Sequence, residues 1–197
     1  MFIEKFVKNP IRNNNYLLID EQSKEAVLID CSEADDEIIN YLSQNHLKLK
    51  YILLTHAHFD HVMGVEYFQK KLNVPVYLHK DDKELLNMLP MFVEGVKIPS
   101  VEFFDEEAHF SLAGETIEII KTAGHSKGSV CFKIANHLFS GDTMFCGTYG
   151  RTDLPFSSND DMVDSLKRLL ELSDDVIVYP GHGKSTFIRD ERSIYNF

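Results

Sequence analysis

The stretch Tyr51-Ile52-Leu53-Leu54-Thr55-His56-Ala57-His58-Phe59-Asp60-His61 runs from an apolar segment straight into a turn dense with metal-capable side chains. The unbroken apolar run Tyr51–Leu54 reads as a strand buried on both faces. The carboxyl end of such a strand is where an α/β sheet places its ligand. Alternate spacing points His56 and His58 the same way, and Asp60 and His61 turn back where the next helix begins. Imidazole and carboxylate in one turn suit Zn²⁺, Fe²⁺ or Mn²⁺.

Working outward, a helix is expected over Val62 to Leu72 and a strand over Pro75–Leu78. Upstream, Phe2, Phe6, Tyr16 and Leu18 sit at strand spacing, and Glu21–Glu25 reads as a hairpin loop before Ala26–Ile29. Ser32 is expected to cap a helix bearing Ile38, Ile39 and Leu42. Downstream, strands are expected at Val101–Phe104, Phe110–Leu112, Glu115–Lys121, Val130–Ile134 and Leu138–Ser140, with turns at Ala113-Gly114 and Asn136-His137. Ser158 and Asp161 form a capping box for an amphipathic helix through Met162, Val163, Leu166, Leu169 and Leu170, and Val176–Tyr179 is the last strand. Hairpins mixed with strand–helix–strand units imply a layered α/β fold. No linker or low-complexity tract divides the chain, so residues 1–197 read as one domain.

Three later fragments each place a donor just past a predicted strand, beside a glycine: Gly124-His125-Ser126, Gly141-Asp142-Thr143 and Gly181-His182-Gly183. With the first turn they supply His56, His58, Asp60, His61, His125, Asp142 and His182. That set exceeds one tetrahedral site and suits two cations sharing a bridging carboxylate. A structural zinc would be closed by four ligands, usually with thiolates, and none of Cys31, Cys131 and Cys146 falls in a ligand pair. Cys31 and Cys146 read as buried bystanders; His46, His79, His109 and His137 read as surface or core residues.

The 197 residues carry 20 Lys and Arg against 31 Asp and Glu, a net charge of −11, which disfavours nucleic acid as a partner. No apolar run approaches a membrane span, and the charged start Met1–Lys8 does not read as a signal peptide. The odd, widely spaced cysteines fit reduced thiols, so a cytoplasmic protein is expected.

The H-x-H-x-D-H turn, Gly124-His125-Ser126-Lys127-Gly128-Ser129, Gly141-Asp142-Thr143 and Pro180-Gly181-His182-Gly183 resemble the metallo-β-lactamase superfamily, most closely its short glyoxalase II-like members. Gly150-Arg151-Thr152-Asp153 and the ending Glu191–Phe197 add to that resemblance. It implies an αβ/βα four-layer sandwich of two similar halves with the metals at one edge. Carried over by position, His56, His58 and His125 would hold one ion, Asp60, His61 and His182 the second, with Asp142 bridging. The chain departs from the family at Lys127, where proline is usual, and at Met63-Gly64, where Gly-Gly is commoner; neither removes a ligand.

The resemblance implies a dinuclear hydrolase with two divalent ions, zinc first and iron or manganese next. A metal-bound hydroxide, oriented by Asp60, would attack a thioester or ester carbonyl of a small molecule. Arg151 and Asp153 are expected to pair around the ligands or shape the pocket. The C-terminal helical domain that contacts glutathione in full-length glyoxalase II is not expected here, so the thiol is left open. A persulfide dioxygenase-like iron enzyme using His56, His125 and Asp142 is the rival on the same fold, and a lactonase is a further alternative. A monomer or small homo-oligomer is expected.

Overall fold

Alternation of apolar side chains builds two sheets, each buried on both faces. The computed structural model describes residues 1–195. The first sheet is six-stranded, in the order β1-β2-β3-β4-β5-β6. Its strands are β1 (Phe2–Lys8), β2 (Asn13–Ile19), β3 (Glu25–Ile29), β4 (Lys48–Leu54), β5 (Val76–His79) and β6 (Glu102–Phe104). β1, β2 and β3 are antiparallel, and β3 to β6 are parallel. The parallel steps cross over through α1 (Asp36–Gln44), then α2 (Phe59–Val62) and α3 (Val65–Leu72), then α4 (Lys83–Asn87) and α5 (Leu89–Phe92).

The second sheet is also six-stranded. It comprises β7 (Phe110–Leu112), β8 (Glu115–Lys121), β9 (Val130–Ile134), β10 (His137–Gly141), β13 (Ile177–Pro180) and β14 (Thr186–Phe187), with a small ribbon of β11 (Met144–Phe145) and β12 (Thr148–Tyr149) beside it. Its β10–β13 step is parallel, crossing over through α6 (Asn159–Leu170), and α7 (Ile188–Arg192) follows β14. Each half thus begins with antiparallel strands and turns to a parallel crossover, and in the second half β14 then returns antiparallel to β13.

Three apolar layers separate four structural ones. Leu17, Leu28, Ile52 and Leu54 face Ile38, Leu42, Val65 and Phe68 of the helices. Their strand neighbours Tyr16, Leu18, Val27, Ile29 and Leu53 face Phe110, Val130, Phe132 and Phe139 of the other sheet. Cys131, Leu138 and Val178 face Met162, Leu166 and Leu169 of α6. This period-two switching is the αβ/βα sandwich. Among the described residues no helix is long and apolar enough to cross a membrane.

Three expectations need correction. Ser32 does not start α1; Asp35 does, accepting from the Glu37 amide at 2.8 Å, while the Ser32 hydroxyl is bound to Asn13 and Asn15. The helix expected over Val62 to Leu72 is broken at Met63-Gly64, because the Gly64 amide bonds to the Cys31 carbonyl at 2.8 Å and a Cβ there would sit 2.4 Å from the Glu33 carbonyl oxygen. The turn expected at Asn136-His137 falls one residue earlier, with Ala135 at φ 49° and His137 already paired to Ile134. Phe110–Leu112, Glu115–Lys121 and Val130–Ile134 form as expected, β4 begins three residues before Tyr51, and the other strands with expected bounds shift by a residue at their ends. Of the ending compared with the family, Asn196 and Phe197 lie outside the described residues.

Candidate metal centre

The two sheets are stitched together at one edge by loops that carry the donors. The Val130 amide bonds to the Thr55 carbonyl at 3.0 Å, and the Asn14 amide to the Gly181 carbonyl at 2.7 Å. His56 and His58 lie past β4, Asp60 and His61 on α2, His125 between β8 and β9, Asp142 past β10 and His182 past β13. The structure brings all seven into three overlapping groups: His56, His58 and His125; His56, His61 and Asp142; and Asp60, His61 and His182, with donor atoms within 4.8 Å of one another in each.

Asp142 faces both ends of this set. Its Oδ2 lies 3.5 Å from His125 Nε2 and 3.6 Å from His182 Nε2, and its Oδ1 lies 3.4 Å from His61 Nε2. Asp60 Oδ2 lies 3.1 Å from His182 Nε2. Gly181 makes room for that carboxylate and Gly150 for its main chain: a Cβ on Gly181 would sit 2.2 Å from Asp142 Oδ1, and one on Gly150 would sit 1.8 Å from the Asp142 carbonyl oxygen.

The outer ring nitrogens are anchored, which fixes each imidazole. His61 Nδ1 donates to Asp30 Oδ2 at 2.8 Å, His125 Nδ1 to the Arg151 carbonyl at 2.8 Å, and His182 Nδ1 to the Ile11 carbonyl at 3.2 Å. The Thr55 hydroxyl donates to Asp30, so it accepts from His56 Nδ1 at 3.1 Å. Four Nε2 atoms therefore turn inward. His58 instead turns Nδ1 inward, 2.8 Å from His125 Nε2.

Burial, then the neighbouring imidazoles His61, His58 and His125, holds His56 well below the ordinary histidine pKa. Burial and His125 bring His58 down to about 3. At Asp142 burial opposes ionisation, but His61, His125 and His182 outweigh it and lower its pKa. At Asp60 the same contest, with His61 and His182 against burial, ends with a lowered pKa. His61 and His182 go the other way: burial opposes their charge, but Asp30, Asp60 and Asp142 around His61, and Asp60 and Asp142 around His182, raise both.

These residues fit a bound cation on an internal observation. His56 Nε2 and Asp142 Oδ1 are buried without a hydrogen-bond partner, a costly state that a bound divalent ion would relieve. Neutral imidazoles and ionised carboxylates are the donor forms such an ion takes.

Several residues that shape the centre carry no motif. Asp82, 0% exposed, accepts from the Ala57 amide (2.8 Å) and Ser126 hydroxyl (2.8 Å) at one oxygen and from the Gly128 amide (2.6 Å) at the other. It thereby ties the His56–His58 turn to the His125 loop. Asp30 braces His61 and Thr55. The Asn13 amide lies 2.8 Å from His61 Nε2 and adjoins the second cluster. The run Asn13-Asn14-Asn15, wholly buried inside β2, was the signal available for it.

Arg151 and Asp153 do pair, at 2.6 and 2.8 Å, but in solvent; Arg151 reaches His125 through its backbone carbonyl. Cys146, expected to be buried, is partly exposed and lies in none of the donor groups, because the β11–β12 ribbon leaves the sheet there. Cys31 is buried as expected, and Lys127 is exposed.

A cleft of about 320 Å³ opens over His58, Asp60, His125 and Asp142. Comparison with known proteins follows the same lines. The family model for the metallo-beta-lactamase superfamily matches residues 10–182. Hydroxyacylglutathione hydrolase GloC of Haemophilus influenzae is 32% identical over 192 residues, spanning 90% of this chain and 89% of that protein. The BLEG-1 B3 metallo-beta-lactamase structure superposes with a TM-score of 0.88 at 31% identity, over 98% of this chain and 97% of the other. TTHA1623, solved in a di-iron-bound form, superposes with a TM-score of 0.86 at 33% identity, over 97% and 98%. Names that differ in activity and metal at nearly equal identity carry the family and the fold, and leave the substrate to the site.

Proposed function

The chain belongs to the metallo-β-lactamase superfamily, and from that premise we propose that it is a cytoplasmic hydrolase that holds two divalent cations and cleaves a small-molecule thioester or ester. The observation that carries this reading is Asp142, whose Oδ2 lies within 3.6 Å of both His125 Nε2 and His182 Nε2 and whose Oδ1 lies 3.4 Å from His61 Nε2. His56, His58 and His125 are the proposed ligands of one ion, Asp60, His61 and His182 of the second, with Asp142 shared. Zinc suits such imidazole–carboxylate donors, and iron and manganese use the same types. When bound, the two cations supply Lewis acidity that polarises a carbonyl and lowers the pKa of water.

The chain's own groups supply orientation. Asp60 stays ionised beside His182, so its carboxylate accepts a hydrogen bond from a water molecule and aims that oxygen at the carbonyl. The anchored outer nitrogens of His56, His61, His125 and His182 hold the ring planes fixed, so little reorganises during reaction.

Elemental analysis of the purified protein, paired with turnover of a thioester panel, tests the reading. About two equivalents per chain and thioester hydrolysis are expected, with His56→Ala losing metal and turnover together. One equivalent of iron, with oxygen uptake on a persulfide and no hydrolysis, would replace it with the dioxygenase chemistry.

A further inference from the structure

We propose that the substrate presents an uncharged apolar group to the cleft, an acyl chain or an apolar thiol, and not a charged peptide thiol such as glutathione. This rests on the hydrolase reading above and names its substrate class.

The cleft floor carries the donors, but its walls are apolar. Phe59 comes from the ligand turn, Leu85 from α4, Leu89 and Phe92 from α5, Ile11 from the β1–β2 connection and Leu154 from the loop before α6. Leu85 and Leu89 are 2% and 1% exposed and form the fixed wall. Ile11, Phe59 and Phe92 are 50%, 42% and 49% exposed, so large apolar surface stands open at the mouth. Exposed apolar side chains scattered singly need no account, but these converge from three elements on one reactive centre.

Charge points the same way. Apart from the imidazoles of the centre, Arg151 is the one cation among the described residues lining the cleft. Asp153 already takes its guanidinium through two hydrogen bonds, at 2.6 and 2.8 Å. A glutathione thioester brings two carboxylates and one ammonium to a chain of net charge −11, with no free cation among the described residues of these walls to receive the carboxylates. An alkyl or aryl group finds Phe59, Phe92 and Ile11 and releases their water.

The chemistry balances without a further reactant. Water oxygen forms the new C–O bond, the C–S bond breaks with its electron pair on sulfur, and the products are a carboxylate, a thiol and a proton.

The test uses the metal-loaded chain with N-acetylcysteamine thioesters of acetyl, butyryl, hexanoyl and octanoyl groups, acetyl thioesters of thiophenol and glutathione, and S-lactoylglutathione. We expect kcat/KM to rise about fourfold for each methylene that enters the cleft, on whichever side of the sulfur it lies. Phe92→Ser and Ile11→Ser, both exposed and both checked by thermal melting, should shrink the octanoyl-to-acetyl ratio. Calorimetry with a non-hydrolysable octyl thioether adds a readout independent of turnover, with a negative heat-capacity change expected. Faster turnover of S-lactoylglutathione than of every uncharged thioester, a rate flat in chain length and thiol, or no thioether binding would overturn the inference and leave the hydrolase standing. No hydrolysis of any member at two metals per chain would overturn the hydrolase reading itself.

Discussion

Asp82 offers the sharpest test of how this centre is held. It lies on the short turn Lys80–Asp82 ahead of α4, touches none of the seven donors, and accepts from both loops that carry His56, His58 and His125. In Asp82→Ala the Ser126 hydroxyl keeps Ser129 Oγ at 2.7 Å, but the Ala57 and Gly128 amides lose their acceptor. Each orphaned buried donor costs about 1–3 kcal/mol, so the pair costs about 2–6 kcal/mol. That is a large share of the roughly 5–15 kcal/mol that stabilises an ordinary domain. Asp82→Asn is the more discriminating change. Its single carbonyl oxygen can satisfy one side, while its NH₂ confronts a donor on the other, for about 1–3 kcal/mol. Metal affinity should fall by about 10–100-fold, as is usual when a group that positions ligands is lost. Urea unfolding of the chelated protein reads the first quantity and chelator competition reads the second. An Asp82→Asn protein within about 0.5 kcal/mol of the parent, with unchanged metal affinity, would refute the idea that this carboxylate ties the two loops.

Gly181→Ala should cost at least one metal equivalent by elemental analysis, because the new Cβ meets Asp142 Oδ1 at 2.2 Å and His61 Cε1 at 2.8 Å; full loading would show that the loop yields cheaply. Lys8 is paired with Asp35 at 2.8 Å and with Glu37, and these outweigh the opposing burial to raise its pKa above 10.5. Its stabilisation is therefore fully present below pH 10.5 and lost as pH rises through the higher folded value, so the urea midpoint should fall in strong alkali and Lys8→Gln should remove that component. Chelation should lower the melting temperature by about 5–11 °C for a metal held at a hundredfold excess over its dissociation constant, from about 2.7 kcal/mol of linkage; an unchanged melt would mean that the folded chain gains nothing from the ion.

The sequence made the donors legible for a physical reason: all but Asp60 and His61, which lie on α2, sit in the loop just past a strand, and strands announce themselves by apolar runs. His56 after Leu54, Asp142 after Gly141 and His182 after Pro180 follow that rule. The groups that brace them were not legible. Asp30 and Asp82 are single carboxylates at the ends of ordinary segments, and nothing local marks one that accepts from residues 25 or 46 positions away. Ser32 was misread as a cap for a related reason, since its hydroxyl serves Asn13 across the sheet instead of its own helix. The break at Met63-Gly64 was likewise set from a distance, by Cys31 and Glu33 pressing on Gly64.

The glycines beside the donors show where a correct reading rested on half of its cause. A sharp turn explains Gly124 and Gly141, whose φ values are 146° and 48°. It does not explain Gly181, whose backbone lies outside the left-handed region and which is required instead by the closeness of Asp142 and His61. Closeness is the deeper constraint of this edge. Donor-bearing loops bond to one another across the sheets, the Gly181 amide to the Gly141 carbonyl at 2.8 Å and the Cys31 amide to the His61 carbonyl at 3.0 Å. The spacing of the donors is thus set by main-chain bonds between the loops together with the side-chain braces Asp30 and Asp82. A centre held by bonds between its own loops has its donors positioned by the fold, so that little need reorganise during reaction.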